Sequence, residues 1–194
     1  MILMKDIIRE GHPTLTTVAK DVRLPLSLAD KNTLKDLLNF IKNSQDEMIA
    51  EKYQLRPAVG IAAPQINISK RMFAIHVTDL DGQLYSMALI NPKIVDKSAQ
   101  LIYLPGGEGC LSVDRETEGL TPRYQFVEIE ALSYDPDQDV LTPVHLKLDG
   151  YIGIVFQHEF DHLNGIMYTS KLFPAIPNAK PAFEFEVSDP ESTP

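Results

Sequence analysis

The run His158-Glu159-Phe160-Asp161-His162 sets two imidazoles four residues apart, with a carboxylate directly after the first. On a helix, positions i and i+4 share one face a turn apart, so both rings can reach a single metal ion while Glu159 leans toward its open side. That is the geometry of metal-assisted hydrolysis. Such a site takes three protein ligands and leaves a coordination position for water. In the metzincin pattern the third ligand is a histidine six residues past the second, but Tyr168 stands there, although Gly165 fits. A following glutamate would have to be Glu184, Glu186 or Glu191. These lie in a proline-punctuated tail, where the alternation of Phe183-Glu184-Phe185-Glu186-Val187 predicts a short strand with its acids toward solvent. The one cysteine remains. Cys110 sits in Pro105-Gly106-Gly107-Glu108-Gly109-Cys110-Leu111-Ser112, a glycine-rich approach that lets the backbone bring a thiolate to an ion held by a distant helix. The set Cys110, His158 and His162 is soft enough for zinc or ferrous iron.

The elements that must position these groups follow from periodicity. Tyr151, Ile152, Ile154, Val155, Phe156, Phe160 and Leu163 recur at helical spacing, with Gly150 before them and Asn164-Gly165 as a left-handed stop. Apolar residues surround the metal-facing side, which predicts a buried helix. Earlier in the chain, Ser27-Leu28-Ala29-Asp30 resembles a capping box, and Leu28, Leu34, Leu37, Leu38, Ile41 and Met48 predict one long amphipathic helix to about Lys52. Beyond Pro64 the pattern changes to strands at Met72–Val77, Leu84–Val95 and Gln100–Leu104. Gln125–Tyr134 and Val140–Leu148 flank Asp135-Pro136-Asp137 as a hairpin. The expected fold is α+β, with mixed and antiparallel strands around a buried C-terminal HExxH helix and a long N-terminal helix.

Ala58-Val59-Gly60-Ile61-Ala62-Ala63-Pro64-Gln65 adds a run of small and β-branched residues ending in a polar amide. Taken together, Gly60–Gln65, Glu108–Ser112 and His158–Gly165 resemble the three ordered signatures of the peptide deformylases. The second and third are present in full, and the first differs only in Ala58, where the family usually has glycine. The continuation Ile66-Asn67-Ile68-Ser69-Lys70-Arg71 is similar to the longer bacterial subtype. The resemblance implies an activity: removal of the formyl group from the N-terminal formylmethionine of newly made polypeptides, with release of formate. It implies roles as well. Cys110, His158 and His162 hold the metal, Glu159 moves the proton, and the Gln65 amide and the Leu111 backbone N–H meet the charge on the carbonyl oxygen. Val59, Tyr151, Ile154 and Val155 would form the methionine pocket, with Gly60 making main-chain contacts. The native ion would be Fe2+, replaceable by Zn2+, Ni2+ or Co2+.

Composition agrees. A chain of 194 residues with 44% hydrophobic content reads as one catalytic domain over 1–194, its segment after about 174 a short strand or partly disordered. A net charge of −9 disfavours sequence-specific nucleic-acid binding, yet leaves room for docking through a local patch, such as one facing the ribosome near its exit tunnel. A lone cysteine and no apolar span long enough for a membrane point to the cytoplasm. His12, His76 and His145 lack a partner at ligand spacing and are expected outside the site. Glu108 is expected to pair with Arg123 or Arg115.

Overall fold

The computed structural model describes residues 1–184. Helices α1 (Leu28–Gln45) and α2 (Glu47–Tyr53) precede a short strand β1 (Gly60–Ala62), then β2 (Met72–Thr78) and β3 (Leu84–Lys97). These are followed by β4 (Leu101–Tyr103), β5 (Arg123–Tyr124), β6 (Phe126–Asp135) and β7 (Val140–Asp149), helix α3 (Gly150–Leu163) and β8 (Lys180–Pro181). Five strands form an antiparallel sheet in the order β1-β2-β3-β6-β7. A smaller sheet, β5-β4-β8, contains one parallel pair. This is the α+β fold that the alternation of patterns predicts.

Both faces of the large sheet are covered, which explains why β2 reads as an almost unbroken apolar run rather than an alternating one. Met72 and Ala74 pack with Leu34, Leu37, Phe40 and Ile41 of α1. Phe73, Ile75 and Val77 point the other way, toward Val155, Phe156 and Leu163 of α3. Because α3 touches β1 and β2 as well as β6 and β7, it lies across the sheet. Its stop is as expected: Gly165 has φ +68°, Ile166 N–H donates to Asp161 O at 3.0 Å, and Gly165 N–H to His162 O at 3.3 Å. A side chain at Gly165 would also strike the backbone of Thr16, 2.7 Å from its carbonyl carbon.

Two expectations need correction. The single N-terminal helix is two, broken at Asp46, whose extended backbone (φ −86°, ψ 114°) and side chain cap α2 by accepting from Ile49 N–H at 3.0 Å. Ser44 and Gln45, the last two residues of α1, make tertiary bonds just before this break. Ser44 Oγ accepts from Ala58 N–H at 3.2 Å, and Gln45 Nε2 donates to the carbonyls of Ala58 and His76 at 2.8 Å each. Strand β3 runs two residues further than expected and is not regular. Its register slips between Ile90 and Lys93, where Asn91 (φ 49°) and Pro92 form a bulge held by the Asn91 side chain on the backbone of Val22. Of the strand expected over Phe183–Val187, residues 185 onward lie outside the described part. The strand actually found near this end is Lys180–Pro181.

Candidate active site

Helix α3 carries His158 and His162 on one face, their ring centroids 5.1 Å apart. Cys110, on the turn closed by Val113 N–H donating to Cys110 O at 3.1 Å, folds back against them. Its Sγ lies 3.4 Å from His162 Nε2, and one donor atom from each of Cys110, His158 and His162 falls within 4.8 Å of the others. Among the described residues this is the group of His, Cys, Asp or Glu side chains that can hold a metal. The residues fit a soft divalent ion: a thiol and two imidazoles converge in a buried place, a fourth protein ligand is not among them, and the far nitrogen of one ring is fixed by a carboxylate.

That carboxylate is Glu108, whose Oε2 lies 2.8 Å from His158 Nδ1 and so leaves Nε2 as the ring's free nitrogen. Glu108 also receives both arms of Arg123, at 2.7 and 2.8 Å, confirming the first of its two expected partners. Arg115 instead pairs with Glu10. Arg123 extends the chain through Nη1 to Asp161 Oδ2 at 2.6 Å, and Lys171 closes it on Asp161 at 2.9 Å. The side chains of Arg123 and Glu108 are each 2% exposed. Burial alone would raise the Glu108 carboxyl, but the hydrogen bonds and charges of Arg123 and His158 outweigh it and bring it down to about 2. Glu108 is therefore a fixed anion that holds a ring in place.

Glu159 has the opposite environment. Burial pushes its carboxyl up to about 7, with the charge of His158 opposing and that of Glu108 adding. Its Oε2 is buried with no hydrogen-bond partner. The carboxyl lies so close over Gly60 that an added Cβ there would sit 2.8 Å from Glu159 Cδ and nearer still to Oε1. Glycine at 60 is thus required by the acid, not by backbone conformation.

Gln65 is 1% exposed and locked at both ends. Its Oε1 accepts from Ala62 N–H at 2.8 Å, which turns Nε2 toward Cys110 Sγ (3.4 Å) and Ser112 Oγ (3.2 Å). The N-terminal segment straps the same region, Ile8 N–H donating to Gln65 O and Glu10 N–H to Ser112 O, both at 2.8 Å. The Leu111 N–H makes no hydrogen bond among the described residues.

These groups surround one cavity of about 610 Å³. It is lined by Gln65, Cys110, Leu111, His158 and Glu159, and on its apolar side by Val59, Gly60, Tyr151, Ile154 and Val155. Of the expected site residues, only His162 lies behind the wall, 1% exposed. The other histidines are occupied elsewhere: Nδ1 of His12 accepts from Thr14 N–H, His76 bonds Ser86, and His145 pairs with Glu128. Three participants escaped the sequence reading. Asp161 lies inside the HExxH run but faces Arg123, the Glu108 contact with His158 has no spacing signature, and Arg56, also lining the cavity, belongs to no motif.

The sequence pattern of the polypeptide deformylase family matches residues 4–176. A peptide deformylase of Oceanobacillus iheyensis is 57% identical over 172 residues, covering 89% of this chain and 91% of the relative. Peptide deformylase 2 of Geobacillus stearothermophilus is 55% identical over 177 residues, covering 91% and 94%. Among solved structures, the Met-Ala-Ser-bound class I type b peptide deformylase of Acinetobacter baumannii aligns with TM-score 0.64 at 26% identity, covering 86% of this chain and 96% of that one. The cluster that could hold a metal, the buried acid beside it and a family match over most of the length agree, and this chain belongs to the polypeptide deformylase family.

Proposed function

We propose that Cys110, His158 and His162 hold one divalent ion, and that Glu159, Gln65 and the Leu111 N–H carry out the hydrolysis beside it. The reaction itself comes with the family: the enzyme removes the N-formyl group from newly synthesised polypeptides. When bound, the ion supplies Lewis acidity and makes a water nucleophilic near neutral pH. Glu159 takes the proton from the attacking water through its unpartnered Oε2 and returns it to the departing amine. Burial works against a permanent charge on this carboxyl, which suits a group that must both take up and give back a proton. As the formyl carbon becomes tetrahedral, negative charge collects on its oxygen. The free Leu111 N–H is one donor for it, and Gln65 Nε2, anchored through Oε1 on Ala62, is the second, turning an N–H from Cys110 Sγ or Ser112 Oγ to the oxyanion.

Val59, Tyr151, Ile154 and Val155 form the apolar wall that takes the methionine side chain, and Gly60 offers its backbone to the peptide. The Met-Ala-Ser bound by the Acinetobacter baumannii relative supports a peptide that begins with methionine. The reading treats residues 1–194 as one catalytic domain, supported by two helical layers meeting on a single sheet. It also places the enzyme in the cytoplasm, near the ribosome's exit, where formylated chains emerge. Docking there would use a local patch, since the net charge is −9. No helix among the described residues is long and apolar enough to cross a membrane.

The observation that carries the proposal is the convergence, at one cavity, of an unpartnered buried carboxylate oxygen, a locked amide and the Cys110 and His158 members of a three-ligand cluster whose third member, His162, stands just behind the wall. Formate release from formyl-Met-Ala-Ser tests it directly. Gln65→Ala should slow turnover about a hundredfold with metal content intact, the loss of one donor being worth roughly 3 kcal/mol. Turnover that stays unchanged removes Gln65 from the role. For the ion we propose ferrous iron, supported by the mixed thiol and imidazole donors. Anaerobic purification followed by elemental analysis should find iron in the active fraction. Full activity in a zinc-loaded, iron-free sample overturns that choice.

A further inference from the structure

Arg56 stands in the loop between α2 and β1, at the wall of the cavity, and its guanidinium is spent on the backbone of the turn that bears the thiol. Nη2 donates to Cys110 O at 3.2 Å and to Val113 O at 3.3 Å. Nη1 donates to Leu111 O at 3.4 Å and to Asp114 Oδ1 at 2.9 Å. The second oxygen of Asp114 accepts from Arg9 Nε at 2.8 Å, so the carboxylate that steers Arg56 is itself tied to the N-terminal strap. Four oxygens of one short turn thus converge on one planar fork, a task a lysine ammonium cannot perform.

The consequence lies in the peptide joining Cys110 to Leu111. In a trans peptide the carbonyl and the N–H point in opposite directions from one rigid plane. With Cys110 O held on the Arg56 side, Leu111 N–H is turned away from the guanidinium, and it has no partner among the described residues. The bond to Leu111 O fixes the next plane, so the amide is held from both sides. A cation on the carbonyl also polarises the amide and makes its N–H a better donor. We propose that Arg56 is a positioning residue for this reaction: it orients and polarises the Leu111 N–H that receives the developing oxyanion. The inference rests on the oxyanion role proposed above for that N–H. Arg56 itself touches neither the ligand atoms nor Gln65 in any hydrogen bond of this structure.

The test uses Arg56→Met and Arg56→Lys in the full, zinc-loaded chain, the lysine variant keeping charge and length should the methionine variant fold poorly. Both should lower kcat on formyl-Met-Ala-Ser about ten- to a hundredfold. KM should stay within about twofold, because the interaction lost acts on the transition state and not on substrate binding. Zinc content should be unchanged. The Leu111 amide ¹⁵N–¹H resonance should move further than amides of β7, which are remote from the turn. A Leu111 resonance that stays in place in both variants overturns the proposal, whatever the rate does. A loss confined to KM overturns it too, by assigning Arg56 to substrate binding. A shifted resonance with unchanged kcat refutes the oxyanion role of Leu111 and the catalytic part of the proposal with it. Gln65→Ala tells that failure from the first, since it probes the oxyanion site without disturbing Arg56.

Discussion

Glu159→Gln should abolish nearly all turnover while leaving the fold and the metal in place. The amide matches the carboxylate in shape, so it keeps the contact over Gly60 that admits no further atom. What it cannot do is accept a proton. General acid–base transfer contributes roughly a hundred- to ten-thousandfold, and Glu159 is asked to act twice in the cycle, so kcat should fall about a thousandfold or more. That corresponds to roughly 4 kcal/mol of transition-state stabilisation. Stability should not fall in parallel, because Oε2 has no hydrogen bond to lose and the variant removes a carboxylate from a buried site. Formate release, elemental analysis and a thermal melt on one preparation decide the matter. A variant that keeps its metal and turns over within tenfold of the parent would show that another group moves the proton.

What the sequence discloses of this site is what local chemistry constrains. Two histidines four apart on one helix can share an ion, and an acid next to the first leans toward the same place, so His158, Glu159 and His162 stand out as a group. Cys110 follows because the chain has no other thiol and no other third ligand at a known spacing. The helix that bears the histidines and the sheet around it are visible in apolar periodicity, since burial on one face repeats every turn or every second residue. Polar pairs between distant segments leave no such trace. The break at Asp46 lies beside bonds from Ser44 and Gln45 to Ala58 and His76, and the bulge at Asn91 is held on the backbone of Val22. Arg56 looks like any surface cation until the turn at Cys110–Asp114 is placed beneath it. Asp161 is hidden in plain view, inside the motif but on the flank of the helix that meets Arg123.

Arg123 is where the same logic predicts the largest effect on stability. It lies buried between Glu108 and Asp161, and each carboxylate has given up water for its guanidinium. Arg123→Met keeps the bulk and removes the charge, leaving two buried carboxylates with only His158 and Lys171 as polar partners. Breaking a buried ion pair from one side costs about 3–5 kcal/mol, a large share of the roughly 5–15 kcal/mol that stabilises a domain. The expected result is a urea midpoint far below the parent's, or failure to accumulate folded protein. Arg123→Lys should recover only part of the loss, because one ammonium cannot meet Glu108 with two parallel bonds and Asp161 with a third. Damage should reach the metal as well. Glu108 freed from Arg123 no longer has a fixed position from which to hold His158 Nδ1, and loss of such an outer partner lowers metal affinity about ten- to a hundredfold. Combining Arg123→Met with Glu108→Gln and Asp161→Asn separates the two effects. Neutralising the stranded acids should restore much of the stability, whereas the weakened hold on His158 should leave metal affinity low. If the single variant loses less than about 1 kcal/mol in urea, the buried network is not what holds this end of α3 in place.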